Sequence, residues 1–217
     1  MRSFDLTRVH RIESEDDRLK ALHVLKTTYL NEKRWVADVE PLFPAADLER
    51  GDISWFLALR KGQPVGVLRI LYDPDIQQYR NFGLKAIDAS LSLDAFMNLK
   101  GLAEVGRFAV VPERRKGVDV ALHLIAAATS EVVGRGYTQL VTDVFENDAH
   151  SPLGFHTRIL GFKPVATHEV GELLHKGRRV TLMLDIRRSY QALKANGNWF
   201  FRALTRNWTQ SMHMRLA

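Results

Sequence analysis

One stretch constrains this chain more than any other: a run of β-forming residues that ends on a proline and a knot of positive charge, followed at once by a helical pattern. Ala103 to Ala121 reads AEVGRFAVVPERRKGVDVA. Pro112 has no N–H to give to a sheet ladder, so the strand stops there and the chain turns. From Val118 to Val133 the apolar residues Val118, Ala121, Leu122, Ile125, Ala128, Val132 and Val133 recur mostly at three- and four-residue spacing, which predicts a helix. Between strand and helix stand Glu113, Arg114, Arg115, Lys116 and Gly117. A helix start leaves about four backbone N–H groups without internal partners and gathers partial positive charge, so it suits a phosphate. Arg114, Arg115 and Lys116 add charge there, and Gly117 lets a ligand come close to the backbone.

This unit resembles the GNAT superfamily of acyl-CoA N-acyltransferases, whose signature after a strand is Gln/Arg-x-x-Gly-x-Gly/Ala. Here it reads Arg114-Arg115-Lys116-Gly117-Val118-Asp119, and Asp119 departs by setting a carboxylate where a pyrophosphate would lie. The strand Glu104-Val105-Gly106-Arg107-Phe108-Ala109-Val110 is similar to the Glu-x-Ser-Arg-Phe-x-Val strand of acyl-homoserine-lactone autoinducer synthases, GNAT-like enzymes that take acyl groups from acyl carrier protein. Glu104 also has the spacing of the base in histone-acetylating members. The resemblance implies an α/β (α+β) fold, a mixed and mainly antiparallel sheet flanked by helices. It implies a thioester donor: coenzyme A carrying acetyl or a longer acyl group, or the phosphopantetheine of acyl carrier protein. The strand from Phe108 through Ala109 to Val110 would align the pantetheine arm. Arg114, Arg115, Lys116, Gly117, Val118, Asp119 and Val120 would hold the phosphate end.

Composition agrees with such a donor. The chain has no cysteine, so any thiol in the chemistry comes from outside. At 217 residues and 46% apolar content it suits one domain with a sizeable core. The N-terminus MRSFDLTRVHRIESEDD is too charged for a signal peptide, so a cytoplasmic protein is expected. The tail beyond Ile186 carries Arg187, Arg188, Lys194, Arg202, Arg206 and Arg215 with no acid, and so holds the whole +6 excess. Residues 1–186 are expected to form the acyltransferase domain. Residues 187–217 are expected to add a basic appendage of one or two helices, packed on or next to it.

Along the chain, Phe4 to Ile12 alternates loosely as a first strand, and Ser14-Glu15-Asp16-Asp17 opens a helix that runs to about Lys33. Arg34 to Asp52 has no period and reads as a loop that forms part of a substrate wall. Ser54 to Leu59 and Pro64 to Tyr72, around Arg60-Lys61-Gly62-Gln63, predict a hairpin. The insertion from Asp73 to Lys100, with a short helix over Leu91 to Leu99, is long enough to cover an acyl or acceptor pocket. Gly134-Arg135-Gly136-Tyr137 stops the central helix, and Gln139 to Phe145 makes another strand. In GNAT folds that strand parts from its neighbour and the pantetheine lies in the gap. Ser151 to Phe162 resembles the family's Tyr-x-x-x-Gly-Phe element with Thr157 or His156 in place of the tyrosine. Pro164 to Val170 and Arg179 to Ile186 form a closing hairpin.

Amide formation from a thioester needs a neutral amine, a proton acceptor and a route to protonate sulfur. Glu104, a carboxylate on an otherwise apolar strand, is the candidate base, unless Arg107 or another cation pairs it structurally. Asp143 and Glu146, late on the following strand, assist that base or bind the acceptor, and His156 is a candidate acid. By resemblance Arg107 holds a substrate carboxylate, Gly66-Val67-Leu68-Arg69 matches the Gly-x-x-Arg of autoinducer synthases, and Trp35 belongs to their N-terminal substrate wall. His150, His156, His168 and His175 match no metal-ligand spacing, so no metal is expected.

The reading is an N-acyltransferase that moves an acyl group to the primary amine of a small molecule such as an amino acid. Two rivals stand beside it, an acetyl-CoA-dependent N-acetyltransferase and a non-catalytic binding module on the same fold. Acyl carrier protein is the macromolecular partner considered, with the tail's Trp199, Phe200, Phe201, Leu204 and Trp208, capped from Asn198, packed on its own domain, on a second copy, or against that carrier. Nucleic acid is not expected, and membrane attachment through the tail is a weaker variant.

Overall fold

The structure, a computed structural model, describes residues 7–87, 92–148, 151–197 and 199–217. Strand β1 (Arg8–Arg11) leads to helix α1 (Glu15–Leu25), whose first turn is capped by Ser14 accepting from the Asp17 N–H. The helix continues as a π-turn, Lys26–Glu32. Two short 3-10 turns, Glu40–Leu42 and Ala45–Glu49, punctuate the expected loop. The hairpin is β2 (Ile53–Arg60) and β3 (Gln63–Tyr72).

The insertion is more than a loop. It holds α2 (Gln78–Asn81), β4 (Lys85–Ala86) and α3 (Leu93–Met97), and builds a small core of Ile76, Tyr79, Phe96 and Met97 against Leu102 and Val141. Leu91, where the predicted helix begins, lies outside the described residues, as do Phe4 and Asn198.

Next come β5 (Leu102–Val110), α4 (Asp119–Gly134) and β6 (Gln139–Phe145). A short α5 (Leu153–Phe155), extended by a π-turn His156–Leu160, precedes β7 (Lys163–His168) and β8 (Arg179–Asp185). The strands form one sheet in the order β1-β2-β3-β5-β6-β8-β7-β4, in which β5 and β6 are the parallel pair.

Pleat alternation separates the two faces of the sheet. Trp55, Arg69, Glu104, Val141 and Asp143 lie on the face covered by α1 and the insertion, where Trp55 stacks on Phe43 at 3.9 Å and donates to Asp47. Ser54, Tyr72 and Leu140 lie on the other face, where Ser54 and Tyr72 both reach Glu131 of α4. Gly66 of β3 has a packing reason: a Cβ there would stand 2.9 Å from Leu124 and Val120 side-chain carbons of α4.

The tail folds into three helices rather than one or two: α6 (Ile186–Ala195), α7 (Trp199–Thr205) and α8 (Gln210–Leu216). Thr209 caps the Met212 N–H and so starts the third. Phe200, Leu204, Met212 and Leu216 are buried in the main core, while Trp199 stays 57% exposed. Arg188, Lys194, Arg202 and Arg206 face solvent. Among the described residues no helix is long and apolar enough to cross a membrane.

Candidate active site

Strands β5 and β6 pair only from Leu102 to Glu104, against Gln139 to Val141. Beyond Glu104 they part, because β5 stays on β3 up to Val110 while β6 stays on β8 up to Phe145. A β-bulge sharpens the divergence: Val67 faces Ala109 and Arg69 faces Gly106, so β5 carries one extra residue near Arg107, whose φ is +50°. A bulky residue in that conformation is strained, and such strain collects at functional positions.

The opening is a cleft of about 400 Å³ that reaches both faces of the sheet. One end is walled by Val110, Arg115, Gly117, Val118 and Ala121, at the start of α4, with Pro152, Phe155 and His156 opposite. At the other end stand Glu104, Arg107, Asp143, Arg179 and Tyr79.

Glu104 is held by Arg69, Nη2 to Oε1 at 2.5 Å, with both side chains about seven-eighths buried. The pair has room because Gly106 lies between them: a Cβ there would stand 3.0 Å from both groups. Arg107 does not meet Glu104. Its guanidinium goes instead to Glu172, at 2.5 Å, on the β7–β8 connection. Burial works to raise the Glu172 carboxyl, but the charge and hydrogen bond of Arg107 outweigh it and hold that carboxyl below its usual range.

Asp143 reaches His168, Oδ2 to Nε2 at 3.3 Å, while its Oδ1 is buried without a hydrogen-bond partner. Tyr79 comes down from the insertion beside it. Burial, then the negative charges of Asp143 and Glu104, push its phenol well up, so it stays protonated. Trp35 lines the cleft and is packed as well, edge-on to Tyr29 at 5.1 Å and 4.7 Å from the Phe145 ring. Glu146 is drawn away to Arg178, 3.1 Å, and does not line the cleft.

His156 is buried among Phe108, Phe155 and Phe162. Its Nδ1 sits 2.9 Å from the Pro152 carbonyl, which can only accept, so Nδ1 carries a proton and neutral Nε2 is an acceptor. Burial lowers its pKa.

At the donor end the structure divides the basic loop. Arg114 and Lys116 are exposed, and the space where a Gly117 side chain would stand is open. Arg115 is committed internally, Nε to the Val110 carbonyl at 2.7 Å and both Nη atoms to Glu32 at the end of the π-turn. The Asp119 carboxylate takes a hydrogen bond from Thr7 at 2.5 Å and lies 3.2 Å from His123. Val120 is packed in the core, which leaves its backbone alone to serve a ligand. Among the described residues no group of three or more His, Asp or Glu is placed to hold a metal; His150 lies outside them.

A second, small cavity, almost wholly apolar and of about 60 Å³, lies between the sheet, α4 and the tail helices, and shares Val105, Phe108 and His156 with the cleft as wall residues. Sequence periodicity shows apolar positions but not the space left between them.

No protein-family model matches the sequence, and no curated protein matches it. Solved structures do match the fold. FeeM, an N-acyl amino acid synthase from uncultured soil microbes, superposes with a TM-score of 0.64 at 16% identity, over 90% of this chain and 100% of that one. A ribosomal-protein-alanine N-acetyltransferase from Brucella melitensis gives 0.59 at 17% identity, over 82% and 99%. An aminoglycoside 6'-N-acetyltransferase complexed with coenzyme A gives 0.57 at 13% identity, over 82% and 97%. The parted β5–β6 pair and the basic turn before α4 thus belong to a chain with the GNAT N-acetyltransferase fold.

Proposed function

We propose that this protein is an N-acyltransferase, moving an acyl group from a thioester to the primary amine of a small molecule by direct attack. The observation that carries the reading is the place of Glu104 at the last paired position of β5 and β6, where the cleft opens between them. A donor entering from the α4 end finds the helix start, the open space at Gly117 and the exposed Arg114 and Lys116, which suit its phosphates. The thioester supplies an activated carbonyl. The amine nitrogen bonds to that carbonyl carbon, the C–S bond breaks, and the nitrogen's proton passes to Glu104, directly or through water. The thiolate takes its proton from solvent, since His156 is held neutral and Tyr79 is locked beside Asp143 at the acceptor end.

An acyl group slightly longer than acetyl is favoured by the small apolar cavity of about 60 Å³ that shares Val105 and Phe108 with the cleft as wall residues. Delivery by acyl carrier protein is a second reading, favoured by the exposed cations of α6 and α7 beside Trp199. The test is thiol release from acetyl-CoA, long-chain acyl-CoA and acyl carrier protein with an amine panel. Release that depends on the amine supports the reading, and none from any donor refutes it.

A further inference from the structure

Transfer to an amine calls for more than one base. A primary alkyl amine is an ammonium ion in neutral water, so it loses one proton before it can attack and a second once the N–C bond forms. Glu104 has room for one of them.

A place for the other is built on the facing wall of the cleft. Asp143 stands two residues beyond Val141, the β6 partner of Glu104, and both carboxylates line the cleft on the same face of the sheet. His168 of β7 lies behind it, with Nε2 3.3 Å from Asp143 Oδ2 and a side chain only 1% exposed. The ring is held by Phe82, stacked on it at 5.6 Å, and by Tyr79, edge-on at 6.0 Å. Its Nδ1 sits 2.6 Å from the Val170 carbonyl, which can only accept, so Nδ1 carries a proton. In the neutral imidazole Nε2 is then an acceptor beside a carboxylate, buried without a hydrogen-bond partner. One proton placed between the two turns that repulsion into a charge-assisted contact.

The neighbours decide where such a proton settles. Arg179 of β8 acts on Asp143 with its positive charge and favours the carboxylate form. Glu104 of β5 and Glu172 of the β7–β8 connection add negative charge, each paired with its own arginine, Arg69 and Arg107. Tyr79 of α2 lies beside Asp143 with its phenol kept protonated, and so is no base. What is left is His168 Nε2, with Asp143 ionised between two cations.

We infer that Asp143 and His168 form a proton relay, in which Asp143 takes the ammonium proton of the acceptor and passes it to His168 Nε2. The N–H bond of the ammonium breaks, its electron pair stays on nitrogen as the lone pair that attacks, and the proton ends on an imidazolium facing the carboxylate. Glu104 remains free for the second proton. This rests on the acyltransferase reading and adds a positioning residue to it, because His168 does not line the cleft and acts through Asp143.

The experiment compares ethylamine, an ammonium ion at pH 7, with trifluoroethylamine, which is already neutral there, each with a working thioester donor. His168→Asn keeps a donor for the Val170 carbonyl but has no second nitrogen to protonate. Its kcat/KM should fall roughly 100-fold with ethylamine at pH 7, the size of an acid–base contribution, and by less than about threefold with trifluoroethylamine. With ethylamine the variant's kcat/KM should also rise about tenfold per pH unit from pH 7 to 9, following the free amine, where the parent stays nearly level. A role in packing alone would lower both amines equally. That outcome overturns the inference and leaves the acyltransferase reading standing. If no amine is acylated, that reading fails; in that case, or should the variant not fold, nitrogen NMR of the parent at pH 8 judges the relay alone. On saturation with ethylamine the His168 Nε2 signal should move from the unprotonated to the protonated range, and an unmoved signal overturns the inference.

Discussion

Glu104 of β5 and Arg69 of β3 meet at 2.5 Å across Gly106, so the candidate base is tied to the scaffold by a partner on the neighbouring strand. The pair separates two roles that one substitution would confuse. Glu104→Gln should lower kcat by roughly one hundredfold or more, as loss of a general base does. Arg69→Met leaves the carboxylate in place but unpaired, and should cost about 1–3 kcal/mol of stability. Rates and urea unfolding measured on both variants check this, and full activity in Glu104→Gln would remove it from the mechanism.

The donor end makes a different claim. Gly117→Val should weaken donor binding, because a branched side chain would fill the open space beside the backbone. Reversing Arg114 and Lys116 to Glu should weaken it too and reduce its salt dependence. Arg115→Ala should act through stability, since that side chain joins Glu32 to Val110. Calorimetric titration with coenzyme A, beside melting curves, tells the two effects apart.

His156 predicts a pH response. Burial lowers its pKa from 6.5, so the unfolded chain binds the proton more readily than the folded one. Stability is therefore complete above the unfolded value and falls as pH drops through 6.5 toward the folded value. Between pH 7 and 5 the parent should lose Tm more steeply than His156→Phe, each kcal/mol reading as roughly 2–4 °C. Parallel curves would show that the imidazole does not contribute.

The tail predicts a split. Removing residues 187–217 should lower Tm, since Phe200, Leu204, Met212 and Leu216 are part of the core. Reversing Arg202 and Arg206, both exposed, should leave Tm unchanged. It should raise KM for acyl carrier protein but not for a short acyl-CoA. Equal effects on both donors would count against carrier-protein docking.

The strand, basic turn and helix around Pro112 were legible because each is set by neighbours in sequence: a missing N–H, a charge cluster, an apolar period. The strand Gln139–Phe145 was legible for the same reason. What escaped depends on pairing across the sheet. Arg69 was expected to touch substrate, and only the β3–β5 register reveals that it meets Glu104. Arg179 looked like the first residue of a closing strand, and only the β6–β8 register sets it beside Asp143. The two-residue β4 joins the sheet through Thr167 and Ala166, a pairing too short to leave a pattern. Thr209, which caps α8, lay too close to the end of α7 to separate the tail helices by period alone.

The parting of β5 from β6 also has a consequence for how the sheet is finished. Past Glu104 the side of β5 that faces β6 has no strand to complete its ladder, so the sheet has an edge in its interior as well as at its rims. Exposed edges recruit other chains, but this one lies inside the cleft rather than at a rim of the sheet. Arg115 has already claimed the Val110 carbonyl at its end. A slender ligand with amide groups along its length could stand in for the missing strand, and binding it would knit the two halves of the sheet into one continuous ladder.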